Sequence, residues 1–418
     1  MKNIEHAYNV LIKVVEDNLP FNIAVRSSLK EEKNKYDSEF KSSITAVSGC
    51  VLRHYFVFKE LVGRKYPEAN EEQFLLISLG LANHIFAKRF NEEELLAFIA
   101  SKVEYDDVTE FITSFNDPKK LIPEDIEFGS KKFLSLRHNI PIWLVNMWQK
   151  NVGPFLSKKL FKGLTERKKS LVRINKNHLS DSEFLEKYSD FIAFREEGIA
   201  IYEGKEPLRK HSAIINEDAL EMPLSYTFMC RDLDIDPLRG IAIYGGANNS
   251  LLDELYVLLG ASFKADYVCG TQKHYFDVLA TIKKLGLTDI STYEGDGSLI
   301  VTCISKPVHT FFVCPENTYF VGLMERPDYF LTIKQEMLDG LIKNEEVALE
   351  EASNHVEDGG DLIYFIPTFC KNEGRSLIRR FLNKHPEFTL GDEKQLYPFD
   401  RYQTMLYFAK LRKEAKHD

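Results

Sequence analysis

The chain has 418 residues, 44% of them hydrophobic and 28% charged, and a formal net charge of −9. These are the proportions of a soluble globular protein long enough for two or three domains. The acidic balance excludes a protein that coats nucleic acid indiscriminately, although a local basic face can still meet phosphate. No segment approaches the roughly 18 uninterrupted apolar residues that span a bilayer. The start, MKNIEHAYNVLIKVVEDNLP, is amphipathic and carries acids, unlike a signal sequence, so a cytoplasmic location away from membranes is expected. The cysteines Cys50, Cys230, Cys269, Cys303, Cys314 and Cys370 are widely spaced with no C-x-x-C pair, which argues against disulfides and against any metal site.

From residue 1 to about 128, apolar residues recur at helical spacing, in HAYNVLIKVVEDNL, ITAVSGCVLRHYFVFKELV, EEQFLLISLGLANHIFAKRF and NEEELLAFIASKV. This predicts a helical bundle. Asn91 ahead of Glu92, Glu93 and Glu94 reads as a helix cap followed by acids at the positive end of the dipole. Between about 129 and 208 the texture turns to short mixed elements, PIWLVNMWQKNVG, SLVRIN and GIAIYEG, predicting a small α+β segment. From about 209 to 418, strands alternate with helices, in the order GIAIYGG, LLDELYVLLG, ADYVCG, YFDVLATIKKLGL, ISTYEGDG, VHTFFVCP, IKQEMLDGLIKNEEVALEEASNHVE and DLIYFIPTF. That alternation predicts an α/β domain with a parallel sheet covered on both faces. Ligands of such sheets sit beyond the carboxyl ends of the strands, where the Gly245-Gly246, Gly295-Asp296 and Cys314-Pro315 turns fall.

Two stretches are locally basic. One holds Lys158, Lys159, Lys162, Arg167, Lys168, Lys169, Arg173 and Lys176; the other holds Arg375, Arg379, Arg380 and Lys384. Each reads either as a solvated helix face or as a phosphate-binding surface. Trp143 and Trp148, five apart, read as core rather than as base-stacking platforms.

The order of these pieces resembles a known family. NIPIWLVNMWQKNVGP followed by LVRIN is similar to its HPEWLVRRW…LRVN segment, VEDGGDLIYFIPTF resembles LKPGGRLVYSTCS, and IRRFLNKHPEFTL is similar to FLxxHPEFxL. The family is the RsmB/Sun branch of the 16S rRNA cytosine-5 methyltransferases, and the resemblance spans nearly the whole chain. It implies a NusB-like all-α domain (1–128), a small α+β RNA-binding insert (129–208) and a Rossmann-like methyltransferase domain (209–418). It also implies S-adenosylmethionine as cofactor, ribosomal RNA as partner, and docking of ribosomal, transcription or translation proteins through the NusB-like domain.

The family's chemistry uses a thiolate at a strand end, in a DAPCSG turn, to add to C6 of cytosine, and a second cysteine in a TC pair to release the adduct. In register, the acid of that turn falls on Cys314, the nucleophile on Asn317 and the second cysteine on Pro367; Cys370 follows three residues later. An amide cannot make that addition, so no catalytic residue is expected. The cofactor motif LDLCAAPGGKT falls on AIYGGANNSLL, and the ribose-gripping acid falls on Cys269, leaving Gly245, Gly246, Cys269 and Asp296 as a degenerate cofactor cleft. The expectation is an RNA-binding homologue without catalysis or bound cofactor. Its alternatives are an active methyltransferase using Cys314 or Cys370, which Glu316 would oppose by raising the nearby thiol pKa, and a NusB-like docking module. Lys158, Lys159, Lys162, Arg167, Lys168, Lys169, Arg173, Arg375, Arg379 and Arg380 are the expected RNA contacts.

Overall fold

The structure, a computed structural model, describes residues 2–29, 38–165, 168–231, 233, 235–245, 250–400 and 404–415. It divides into two compact units, one of residues 1–165 with 322–335, the other of 166–321 with 336–418. The sequence boundary at 128 therefore falls inside the first unit, and the boundary at 208 falls before the last strand of the small sheet described below. Among the described residues no helix is long and apolar enough to cross a membrane.

The first unit is helical. Its core is built by the helices Lys2–Val15, Ser38–Arg53, Tyr55–Lys65, Glu71–Ala82 and Glu92–Ala100, whose apolar stripes meet around Leu11, Val47, Phe58, Leu75 and Ile99. The expected cap forms: the Asn91 side chain accepts from the Glu94 amide at 3.0 Å. The helical spacing over 44–62 is carried by two helices that part at His54, for an identifiable reason. Asn139 donates to the Leu52 carbonyl (2.8 Å) and accepts from the Phe56 amide (3.1 Å), so its side chain replaces the rung that would join those two groups. Further along, PIWLVNMWQKNVG is not a short mixed element but the first half of Ile142–Thr165, which changes direction at Gly153 (φ 81°) and Pro154. Proline lacks the amide that a continuous ladder needs, and glycine alone adopts that φ freely. Trp148 is buried there against Phe161, rings 5.6 Å apart, as core. Residues 322–335 close this unit, with Phe330 packed on Tyr55 and Phe56.

The second unit holds two sheets. The smaller is antiparallel, in the order β2-β3-β1-β4, from β1 (Ser170–Ile174), β2 (Phe191–Ala193), β3 (Ile199–Tyr202) and β4 (Ala219–Leu220). The larger contains β5 (Ile241–Gly245), β6 (Ala265–Cys269), β7 (Ile290–Glu294), β8 (Val308–Cys314), β9 (Val356–Ile366), β10 (Phe388–Leu396) and β11 (Leu406–Lys413). Their order is β10-β11-β9-β8-β5-β6-β7. Strands β5 to β9 run parallel, as the alternation predicts; β11 is antiparallel to β9 and carries β10 as an outer hairpin partner. The hairpin is not legible in the sequence because β10, FTLGDEKQL, has the charged composition of an edge strand. Strand order reverses between β5 and β8, and the crevice at their carboxyl ends is where a doubly wound sheet binds ligands.

Candidate functional site

Pairing registers bring the carboxyl ends of the strands into one row: Gly245 opposite both Cys269 and Cys314, and Cys269 opposite Glu294. Gly245 in that row and Asp296 just beyond it are held by hydrogen bonds within the fold. Gly245 ends β5 with its carbonyl accepting from the Gly270 amide at 3.0 Å and bonded to His274 Nδ1 at 2.8 Å. A Cβ added at Gly245 would meet the Tyr267 hydroxyl at 2.7 Å, so this glycine is required by close packing. Gly246 lies outside the described residues. Cys269 is wholly buried, and burial pushes its thiol up to about 12. Asp296 is exposed, and its carboxylate caps the turn Gly297–Leu299, accepting from the Ser298 amide (2.9 Å) and hydroxyl (2.5 Å).

At the end of β6, where the resemblance expects a carboxylate for the ribose of S-adenosylmethionine, stands the buried thiol of Cys269, with the exposed Glu294 beside it on β7. A cavity of about 390 Å³ lined by Lys264, Asp266, Asp289 and Ser291 opens at the opposite, amino ends of the strands. It is therefore not part of the crevice.

The loops after β8 and β9 carry the positions of greatest chemical interest. Asn317 donates from Nδ2 to the Pro315 carbonyl (2.8 Å) and accepts at Oδ1 from the Tyr319 amide (2.8 Å), which fixes the amide in a local turn. Pro367 is buried at the end of β9. Cys314 and Cys370 are buried, each with its thiol pushed up to about 12, by burial first and by Glu345 and Glu373 respectively. Neither thiol is exposed or ionised at neutral pH, and both properties are needed in a nucleophile.

Under these two loops lies a polar cluster that the sequence alone does not reveal. Glu373 is wholly buried and accepts from the Thr318 amide (2.7 Å), the Thr318 hydroxyl (2.7 Å) and the Thr368 hydroxyl (3.0 Å). The Tyr364 hydroxyl donates to the Glu373 carbonyl at 2.8 Å. Glu345, from the helix Met337–Ser353, is equally buried, and among the described residues its carboxyl oxygens have no ordinary donor. Its neighbour is the Glu373 carboxyl; burial, then that like charge, drive Glu345 far above the usual carboxylate range. Burial raises both acids, and Glu345 keeps its proton beside Glu373. A signal was available: Glu345 stands at the i+4 position after Leu341 and before Ala348, Leu349 and Ala352, an acid on the apolar face of its helix.

The expected RNA contacts separate into groups. Lys158, Lys159 and Lys162 are exposed on the helix Ile142–Thr165 of the first unit. Lys168, Lys169, Arg375, Arg379 and Arg380 belong to the second unit, and Arg167 lies outside the described residues. Lys168 donates to the Pro398 carbonyl at 2.6 Å, Arg375 pairs with Glu393 (3.0 Å) and Arg380 with Glu346 (2.7 Å). Arg173 requires correction as a surface contact. Its guanidinium is buried against Glu254 (3.1 and 3.2 Å), donates to the Gly198 carbonyl (3.0 Å), and the Thr227 hydroxyl completes the site on Glu254. The physical reason is period: on β1 it alternates onto the same face as Leu171, against the helix Ser250–Leu259.

A crystal structure of PH0851 aligns with 99% of this chain and 98% of its own, with a TM-score of 0.75 and 16% identity. NSun6 from Pyrococcus horikoshii, solved with SFG, aligns with 65% of this chain and 97% of its own (TM-score 0.58, 11% identity). A methyltransferase homolog protein from Pyrococcus horikoshii aligns with 67% and 97% (TM-score 0.58, 12% identity). No family model matches the sequence, and no curated protein does. At these identities the likeness is one of fold, and the fold is methyltransferase-like.

Proposed function

We propose that this chain is an RNA-binding protein of the RsmB/Sun type in which the methyltransferase crevice no longer carries out cytosine-5 chemistry. The observation that supports it most is the state of the strand-end loops. The nucleophile's position is Asn317, locked in a turn, and the neighbouring thiols of Cys314 and Cys370 are buried and protonated. In this reading the helical unit is a NusB-like docking domain, the small sheet around β1 to β4 is an RNA-facing insert, and ribosomal RNA is the partner. Lys158, Lys159 and Lys162 are the leading phosphate contacts, since they stand in solvent on one helix.

Two titrations test the proposal. Calorimetry with S-adenosylmethionine and with its demethylated product should give no heat, whereas micromolar binding of either would overturn the reading of the crevice. Affinity for structured ribosomal RNA fragments should fall steeply with salt. RNA that failed to bind at low salt would overturn the binding reading. Alkylation with iodoacetamide under mildly alkaline conditions separates the enzyme alternative: Cys314 and Cys370 should label only as fast as the protein unfolds. Rapid labelling of either would restore a cysteine nucleophile.

A further inference from the structure

The second half of the helix Ile142–Thr165 presents a side-chain row that phosphate contact alone does not explain. Phe155, Lys158, Lys159 and Lys162 fall at i, i+3, i+4 and i+7, and all four are exposed, so one face of the helix carries a ring beside three ammonium groups. Phe155 is 73% exposed, although a phenylalanine in the second residue of that turn could have been any polar side chain without loss to the core. Lys159 Nζ lies 4.8 Å from the centroid of the Phe155 ring, holding the ring beside positive charge.

A second ring adjoins the row. Phe128 is 84% exposed and packs at a tilt on Phe133 (4.7 Å), just before the helix Lys131–His138. The next residue, Gly129, has φ +78°, and a Cβ added there would lie 3.7 Å from Lys158 Nζ, so the Lys158 ammonium sits over this loop. One exposed ring therefore lies beside Lys159, and the other precedes the loop that Lys158 overlies. Asp125, upstream, is held by Arg64 at 2.7 and 3.0 Å, which removes one acid from the surroundings; Glu127 remains beside Phe128 and makes Phe155 the stronger platform.

We propose that Phe155, with Phe128 as a second step, is a stacking platform for unpaired RNA bases whose phosphates are met by Lys158, Lys159 and Lys162. The inference rests on the RNA-binding reading above and deepens it by naming the form of RNA recognised. Aromatic rings set between lysines suit a single strand, because every base offers a π face while the backbone supplies regular negative charge. A duplex keeps its bases stacked inside and offers the rings nothing. An apolar protein partner would gain from the rings but not from the ammonium row.

The test uses the full chain and two probes, a single-stranded RNA carrying 2-aminopurine and an RNA duplex of the same length. Binding of the single strand should quench the 2-aminopurine fluorescence, and Phe128→Ala/Phe155→Ala should lower its affinity roughly tenfold or more. Duplex affinity should change less than twofold. Phe155→Tyr, which keeps the ring, should retain single-strand binding, so a loss in the alanine variant is assigned to the ring. Unchanged single-strand affinity in the double alanine variant, with Lys158→Glu/Lys159→Glu reducing it, would overturn the platform and leave the RNA reading standing. No binding of either RNA by the unaltered chain would overturn both.

Discussion

Beneath the carboxyl ends of β8 and β9, two glutamates, two threonines and two thiols are shut away from water, and the Thr318 amide and both threonine hydroxyls donate to the Glu373 carboxyl. Along the outer half of Ile142–Thr165, by contrast, a phenylalanine and three lysines stand in solvent. Around Glu373 the first region has polar groups that satisfy one another, and in a dry site such a network holds two loops in one geometry. The second has charge and a ring facing outward. A crevice equipped for chemistry would show the reverse, with an exposed, activated group at the strand end. The contrast supports the proposed binding capacity on the surface of this protein and assigns stability to the strand-end cluster.

The largest effect should come from opening the closed region. Glu373→Ala removes the acceptor of the Thr318 amide and of two hydroxyl groups, all buried. It should cost about 3 to 5 kcal/mol in urea unfolding, because a buried donor left unmet pays its full desolvation. Affinity for single-stranded RNA should stay the same in the fraction that remains folded. A destabilisation below about 1 kcal/mol would mean that water reaches these groups and that the region is not closed.

Glu345 sharpens the same point through pH. Burial and Glu373 raise its folded value above the unfolded one, so the stability it contributes is complete below the unfolded value of about 4.3 and is lost as pH rises toward the folded value. Glu345→Gln keeps the shape and has no carboxyl proton to lose. The variant should match the parent in mild acid, near the unfolded value, and exceed it increasingly as the solution becomes alkaline, measured as unfolding free energy at each pH. Parallel pH profiles for the two proteins would refute a Glu345 carboxyl held protonated by the fold.

Much of this contrast is legible in the sequence, unevenly. Alternating strands and helices from GIAIYGG to DLIYFIPTF are visible because buried parallel strands are continuous apolar runs, and the structure pairs them in one parallel sheet. The position of Asn317 is visible as well, as a residue in a strand-end turn. What the linear sequence hides is partnership at long separation. Thr318 and Glu373 are 55 residues apart. Arg173 looks like one more cation in a basic run, until the period of β1 carries it inward to Glu254, 81 residues away. Asn139 breaks a helix that its neighbours in sequence would have continued, 87 residues from Leu52. Composition reports how many charges a segment has, and only the fold decides which of them remain available.

On the exposed side, Lys158→Ala/Lys159→Ala should leave thermal unfolding within about 0.5 kcal/mol of the parent, as surface substitutions do. The dependence of RNA affinity on salt should become shallower, by roughly 0.7 in log-log slope for each phosphate of a single strand that is no longer neutralised. Lys168→Ala, by comparison, removes a group already bonded to the Pro398 carbonyl and should leave that slope nearly unchanged. An equal change of slope in both variants would show that the two lysine groups are not distinguished by their exposure.

The smallest effect expected is at Asn317 itself. Its amide makes two bonds within one turn, to the Pro315 carbonyl and from the Tyr319 amide, at a site only partly buried. Asn317→Ala should therefore cost about 1 kcal/mol, the net worth of local hydrogen bonds that water can partly replace. Asn317→Asp retains the acceptor for Tyr319 but sets a carboxylate against the Pro315 carbonyl, so it should be no more stable than the alanine variant. Single-stranded RNA affinity should be the same for all three proteins. If Asn317 were instead part of a working site, its removal would alter RNA affinity while hardly touching the fold. A tenfold drop in RNA affinity in a fully folded Asn317→Ala protein would reverse the comparison, returning binding to the crevice.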